Sequence, residues 1–587
     1  MSNMYYITND KGRLYDMASI IKKKVKKYTY YYLVESARVN GKPRIVSQIY
    51  LGTADNIAKA VEAKSKGGGI PVPEYSIVLE FGAVCALYDI SSRLGVIDMI
   101  NKHASKRNQG LSVGEYMVLA AINRAVEPES KNEFSKWFDK TVLHKYFPAA
   151  NKASLSSQGF WENMSLLDDD DIKAFEDEFT KLVVSKYELK TECLIYDTTN
   201  FYTYIDTNSK GKLAKRGNSK EKRKDLKIVG LSMMVSPDYN IPLFHEVYPG
   251  SSNDAKQFSS IAGRLKERYM KMCGEPDNIT LVFDKGNNSP DNLKTLREGD
   301  VKFKIVSSLR LNQCGELLDI PKESYTLLKG SNFKGAFAYR TQMDIYGDRM
   351  TIVITHNPEL LSGQLQGISA NILKCEEALK GLDKSLEDRA EGKVKKGRKP
   401  TVETVIARIQ SILSVEYMAD IFDYEVTEEN GAIRLKYGIN DIKFDYVKEH
   451  QLGKTVIYTD NHEWETEKIV TSYRSQYHIE DAFKQMKNTD FLSFRPLYHW
   501  TDQKIKVHAF YCVLALRLCC LLNREISGMG FDMTTNKMLK ELSGVNQVIT
   551  VFPSGKKEIK RYSLSGNGSE GERMIEKLGL KKYQIVV

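Results

Sequence analysis

Residues 471–487, TSYRSQYHIEDAFKQMK, read as a helix on which Tyr473, Glu480 and Lys487 stand seven residues apart and share one stripe. Gln476, four before Glu480, joins the same face. Ile479, Phe483 and Met486 fall at helical spacing on an adjacent apolar face suited to packing on a core. A carboxylate is a hard oxygen ligand for Mg²⁺, and a Lys two turns along suits a phosphate. The same pattern describes a solvated amphipathic helix with a scattered charged face. The stretch alone leaves both readings open.

Two further stretches supply partners for Glu480. CLIYDTTNFY (193–202) is an apolar, β-branched run reaching Asp197, and ITLVFDKGNNSPDN (279–292) is another, reaching Asp284 before turn residues. Both read as buried strands that deliver a carboxylate at the C-terminal end, where open α/β sheets place ligand and metal chemistry. Two strand-end aspartates and one helix glutamate make a two-metal carboxylate site.

The order Asp, Asp, then Y-x2-(R)-x3-E-x6-K resembles the DDE transposases of prokaryotic insertion sequences, most of all the "insertion sequence four" supergroup. Tyr473, Glu480 and Lys487 match that pattern in type and spacing, while its Arg position holds Gln476 here. Arg474, two residues away on a different side of the helix, is the expected substitute for that Arg as a DNA contact. RGNSKEKRKDLKIVGLSMMV (216–235), IPLFHEVYPGSSNDAKQF (241–258), FDKG (283–286) and RPLYHWTDQKIKVHAFYCVLAL (495–516) also match in context. The resemblance implies an α/β, multidomain (α+β) chain: an RNase H-like mixed sheet flanked by helices, interrupted by a strand-plus-helical-hairpin insertion.

It also implies that Asp197, Asp284 and Glu480 hold two Mg²⁺ ions, with Mn²⁺ able to substitute. The activity implied is strand cleavage at transposon ends and transfer into target DNA. Tyr473, Gln476 and Lys487 would grip the phosphate. The implied partner is double-stranded DNA, both the terminal inverted repeats and the target, bound by a homodimer on two ends, with no membrane involved. The expected location is a prokaryotic cytoplasm, associated with the nucleoid.

The chain has 587 residues, long for one core, so several domains are expected. A net charge of +11 suggests a polyanion partner without proving one. The eight cysteines form no Cys-x-x-Cys pair and the nine histidines no ligand-spaced cluster, against a zinc module and in keeping with a reducing cytoplasm. The polar N-terminus carries no apolar signal segment. The most apolar helix, about 507–522, is interrupted by His508 and Arg517, is shorter than a bilayer needs, and reads as a core helix.

Residues 1–66 read as a small basic β-rich domain, with a hairpin around Asn40-Gly41. Its lysines and tyrosines either contact DNA or pack within the domain. A linker follows at 67–75, then a mostly helical region at 76–190 with a capping box at Ser112–Glu115. The catalytic domain is expected at 191–310 and 461–530, around an insertion at 311–460; a C-terminal region, 531–587, ends the chain.

The loop at 209–227 is densely basic, and Lys215, Arg216, Lys222, Arg223 and Lys224 are its expected DNA contacts. Asp254 is a helix N-cap or a third catalytic aspartate. In the insertion, Leu361, Leu365, Ile368, Ile372, Cys375, Leu379, Leu382 and Leu386 form a heptad seam. It packs against a second helix (Val402, Val405, Ile409, Ile412) or against the insertion's own strands. Trp464 is either buried or the aromatic wedge for a flipped base that related enzymes use, and Trp500 reads as structural. Two other functions stay open: a decayed or repurposed transposase that binds DNA without cutting, and a general RNase H-like nuclease.

Overall fold

The computed structural model describes residues 19–586 apart from 26–27, 40–41, 64–72, 106–109, 207, 218–222, 224, 253–257, 259, 262, 265–266, 270–278, 299–301, 395–396, 430 and 555–556. Asn40-Gly41, most of the expected linker, Lys222, Lys224 and Asp254 therefore lie outside the described residues. The chain divides into one unit of residues 1–78 with 547–564 and another of 79–546 with 565–587.

In the first unit, β1 (Ser19–Val25), β2 (Tyr28–Val39) and β3 (Lys42–Thr53) form an antiparallel sheet, followed by the helix Ala54–Ala63. Lys22, Lys23 and Lys24 stand on β1. Lys23 pairs with Tyr30, its Nζ stands 5.0 Å from the Tyr32 ring centroid, and it donates to Gln48 (3.1 Å). Lysine stems laid along tyrosines give β1 an apolar surface to cover. A fourth strand, β4 (Tyr75–Glu80), opens the region expected to be helical.

The helices Gly82–Arg93, Val96–His103, Val113–Val126, Ser157–Met164 and Asp169–Tyr187 begin the second unit. The Ser112 hydroxyl accepts from the Glu115 N–H (3.3 Å) while the Glu115 carboxylate accepts from the Ser112 N–H (2.6 Å), a closed capping box. Phe134, Trp137 and Leu143 are buried.

The sheet that follows has nine strands. Those nearest the carboxylates are β5 (Cys193–Tyr202), β6 (Ile228–Val235), β7 (Pro242–Pro249), β8 (Thr280–Phe283) and β9 (Lys304–Ser308). Beyond them come β10 (Thr326–Leu327), β11 (Phe337–Ile345), β12 (Asp348–His356) and, after the insertion's helices, β15 (Lys454–Thr459). The order is β10-β11-β12-β15-β9-β8-β5-β6-β7. β5, β6 and β7 run antiparallel, while β5, β8 and β9 run parallel. Three antiparallel strands joined to parallel ones, flanked by helices, make a mixed α/β sheet of the RNase H-like kind.

The insertion does not fold apart as a whole. Its strands extend the sheet, because β15 pairs antiparallel with β9 and covers what would otherwise be an open edge. Residues 358–452 have a core of their own: the helices Pro358–Ala390 and Val402–Ile412, with β13 (Phe422–Glu429) and β14 (Ala432–Ile439). Ile368, Cys375, Leu379, Leu382 and Leu386 pack with Val405 and Ile409 and also with Phe422, Ile433 and Leu435. The seam thus serves both the second helix and the insertion's own strands. Leu379 is fully buried, so Leu379→Ala should cost about 2–5 kcal/mol. Limited proteolysis should show faster cleavage within 358–452 and unchanged protection of the nine-stranded sheet.

The helix Asp502–Gly528 is longer than its sequence pattern suggests. It is long and apolar enough to cross a bilayer, but 94% of its most apolar window is buried within the protein. β16 (Asn546–Ser554) lies between β17 (Lys557–Leu564) and β4, so residues 75–80 and 546–564 share one small sheet.

Candidate active site

β5 and β8 pair in parallel register, Cys193 with Thr280 through Tyr196 with Phe283. One residue further, the same register sets Asp197 beside Asp284. Asp284 directly follows the last residue of β8, as expected, and its carboxylate accepts from the Gly286 N–H (3.3 Å). Asp197 is not at a strand end: β5 continues to Tyr202, because its other edge stays paired with β6, Asp197 opposite Met233. Asp197 therefore stands where the parallel pairing with β8 stops. Both aspartates are half-buried.

The expected single helix at 471–487 is two, Thr466–Arg474 and Tyr477–Met486. Ser475 and Gln476 keep right-handed dihedrals, but the backbone tightens: the Gln476 N–H reaches Tyr473 O (3.2 Å) and the His478 N–H reaches Ser475 O (3.0 Å). The Ser475 hydroxyl donates to Ser472 O (2.5 Å), a back-bond that competes with the helix ladder and bends it. The break separates Tyr473 from the helix of Glu480. The second helix packs on β5 and β6. At its end Lys487 lies 5.8 Å from the ring of Phe201, on the same face of β5 as Asp197.

Tyr473 links the parts. Its hydroxyl donates to the Ser308 hydroxyl at the end of β9 (2.8 Å). Burial first, and then the charges of Asp284 and Glu480, raise its phenol above the ordinary value, against the lowering effect of that bond. Tyr473 thus feels both the second aspartate and the glutamate. Glu480 itself is exposed in the first turn of its helix.

Asp197, Asp284 and Glu480 are carboxylates, and carboxylate oxygens are hard ligands of the kind that suits Mg²⁺ or Mn²⁺. Among the described residues, no three His, Cys, Asp or Glu side chains converge as they stand into a metal-holding group. What the fold supplies is two carboxylates side by side and a third on the adjacent helix.

The other expected residues divide. The Gln476 amide Nε2 is out of contact with solvent and has no hydrogen-bond partner. Arg474 is turned elsewhere: it stands 5.4 Å from the Phe333 ring, donates to Asn332 O (3.2 Å), and is lowered by burial. Lys215 is pinned through its backbone to Ile228, and Arg216 is exposed. Arg223 forms a two-point pair with Asp225 (2.8 and 2.7 Å) and lies 5.5 Å from the Tyr202 ring. Trp464 lines a cavity with Ile279 and Lys304, at the start of β8 and β9 and so at the opposite end of those strands from the aspartates. Trp500, read as structural, is 59% exposed.

Sequence reasoning missed Arg495, which donates to Lys487 O (3.1 Å) and to the Tyr202 hydroxyl and covers the Tyr202 ring at 4.4 Å. Its only signal was its place at the head of RPLYHW. It also missed a buried charge cluster in which Glu176 accepts from His245 (2.6 Å) and Arg268 (2.9 Å), with Arg517 3.7 Å away.

Residues 188–518, more than half of the chain, match the family model described as a transposase DDE domain. Two solved structures are similar at low identity. One is the piggyBac transposase synaptic complex with hairpin DNA, at 10% identity and a TM-score of 0.34, over 79% of this chain and 80% of that one. The other is the Mos1 transposase paired-end complex with its left transposon end, at 11% identity and a TM-score of 0.14, over 34% of this chain and 60% of that one. No curated protein matches the chain.

Proposed function

We propose, from the premise that this chain belongs to the transposase DDE domain family, that it cleaves DNA strands at transposon ends and joins the freed ends to target DNA. The observation that carries this is the parallel register that sets Asp197 beside Asp284, with Tyr473 under the charge of both Asp284 and Glu480. Asp197, Asp284 and Glu480 would hold two Mg²⁺ ions, or Mn²⁺ in their place. When bound, such ions polarise the phosphodiester and balance charge on the attacking and leaving oxygens.

The chain's own groups orient the substrate. Lys487 presents an ammonium on the face of Asp197. Arg495 braces the turn that holds Lys487 through its carbonyl. Tyr473, fixed by Ser308, borders the carboxylates and limits how closely the strand approaches. Gln476 stands where the family pattern has Arg and would replace it more weakly. The partner is double-stranded DNA, at the terminal inverted repeats and at the target, held by a homodimer on two ends. The same reading assigns the chain to the "insertion sequence four" supergroup and to a prokaryotic cytoplasm, at the nucleoid. Arg216, Lys215 and Arg223 extend the basic surface along the substrate.

Metal dependence tests the proposal. Supercoiled plasmid carrying the DNA that flanks this gene should be nicked with Mg²⁺ or Mn²⁺ and left intact with a chelator. Nicking that persists in the chelator would refute a carboxylate–metal mechanism. A second expectation concerns Gln476: Gln476→Arg should keep or raise cleavage, since Arg offers more donors in a fork that fits phosphate. A loss of about tenfold or more, about 1.4 kcal/mol of barrier, would show a dedicated role for the amide.

A further inference from the structure

A second cavity, of about 680 Å³, opens between the early helices and residues 496–511, away from the carboxylates. Its outer wall is aromatic. Trp161 and Trp500 meet edge to face at 5.3 Å, and Tyr498 and Trp500 are 58% and 59% exposed. From Tyr498 the aromatic surface continues to Tyr204 (5.6 Å), itself 46% exposed, and then to Tyr202 (5.6 Å) at the end of β5. Tyr202 is the ring covered by Arg495. A line of rings thus leads from the end of the strand that bears Asp197 to the cavity.

Behind the aromatic wall the charge is positive and uncompensated. Arg124 and Lys504 are each 2% exposed, and the Nζ of Lys131 is out of contact with solvent. Arg124 donates to two carbonyl groups, Arg495 O (3.0 Å) and Glu129 O (2.5 Å). Lys504 donates to Trp161 O (2.5 Å) and to the Ser165 hydroxyl. Lys131 sits 4.5 Å from the ring centroids of both Phe160 and Tyr511, with no hydrogen-bond partner. Among the described residues none of the three is paired with a carboxylate. Burial pushes Lys504 down to about 8 and lowers Lys131 as well. Buried cations without a counter-charge are costly, and low-dielectric walls focus their field on the cavity mouth.

We propose that this aromatic path and cavity bind a single-stranded segment of DNA. Its bases stack on Tyr204, Tyr498 and Trp500, and its phosphates face the field of Arg124 and Lys504. Stacking platforms over a cationic groove suit unpaired strands, because only an unpaired base exposes its π-face. A duplex keeps its bases inside. The proposal rests on DNA being the substrate of the carboxylate site, and places there a strand separated from its complement.

The test uses the full chain carrying Asp197→Asn, so that cutting and binding are read apart. Fluorescence anisotropy of a labelled eight-nucleotide deoxythymidine strand should show saturable binding. Trp500→Ala with Tyr498→Ala, both at exposed positions, should weaken it by about tenfold or more. A blunt duplex of equal length should compete poorly, and so should inorganic phosphate at matched ionic strength. Equal competition by duplex, displacement by phosphate alone, or an unchanged affinity in the double variant would each overturn the proposal. Single-strand binding that persists in a chain without metal-dependent cleavage would retain this site while removing the catalytic reading.

Discussion

Asp284→Asn and Glu480→Gln should each lower strand cleavage by about a thousandfold or more, about 4 kcal/mol of barrier at 1.36 kcal/mol per tenfold, while DNA affinity stays within a few-fold. Both substitutions keep side-chain volume and remove one negative charge. Glu480 is exposed and Asp284 half-buried at a turn, so neither change opens a core. Circular dichroism and thermal midpoint should therefore match wild type, which isolates the catalytic effect. Asp197→Asn should behave alike, since the β5–β8 register makes the two aspartates neighbours. Cleavage retained by Glu480→Gln would remove the helix glutamate from the site and leave only a pair of carboxylates.

The second large effect lies in stability. Glu176, on the helix Asp169–Tyr187, is 2% exposed and faces His245 of β7, Arg268, and Arg517 of the helix Asp502–Gly528. Burial alone would raise its carboxyl, but the charges of His245 and Arg268 override that and hold it at about 2. Glu176→Gln should cost about 3–5 kcal/mol, because the loss strands buried cations without their counter-charge. The folded pKa lies below the unfolded one. Glu176 therefore contributes its stability above the ordinary carboxylate range, and loses it as pH falls from about 4.3 towards about 2. Urea midpoints measured from pH 7 downwards should fall for wild type across that window. They should start lower and fall less for Glu176→Gln. Coincident curves would show that the cluster contributes nothing net.

The sequence makes the chemistry legible more readily than the architecture. Asp284 ends an apolar run and is followed by Lys-Gly-Asn-Asn, so strand end and turn are both written locally. Asp197 looks the same from its upstream side. Only the pairing of Thr198–Tyr202 with β6 carries the strand onward, and no local pattern in 193–202 reports that partner. The bend at Ser475–Gln476 was hidden because Tyr473, Glu480 and Lys487 keep helical spacing across it. The side-chain back-bond of Ser475 that tightens the turn is a property of conformation.

Long-range pairing explains the other differences. β4 finds β16 some 470 residues later, and the pattern YSIVLE offers nothing to separate it from a helix start. Strands β10–β12 and β15 read as the edges of a separate insertion, whereas they continue the main sheet because β9 needs an edge partner. The heptad seam was readable from spacing alone, yet its double contact, to a second helix and to β14, depends on a fold that spacing does not encode. Glu176 shows the limit most plainly. It is one acid among several on an amphipathic helix, and its three partners come from three distant segments.

The most direct test of a transposase site built from these carboxylates is a map of strand breaks at nucleotide resolution. Plasmid carrying the flanking DNA would be incubated with Mg²⁺ and either wild-type or Asp197→Asn protein. The account predicts breaks at a pair of inverted repeats for wild type and none for the variant. Breaks scattered without regard to those ends, or identical breaks from both proteins, would contradict it.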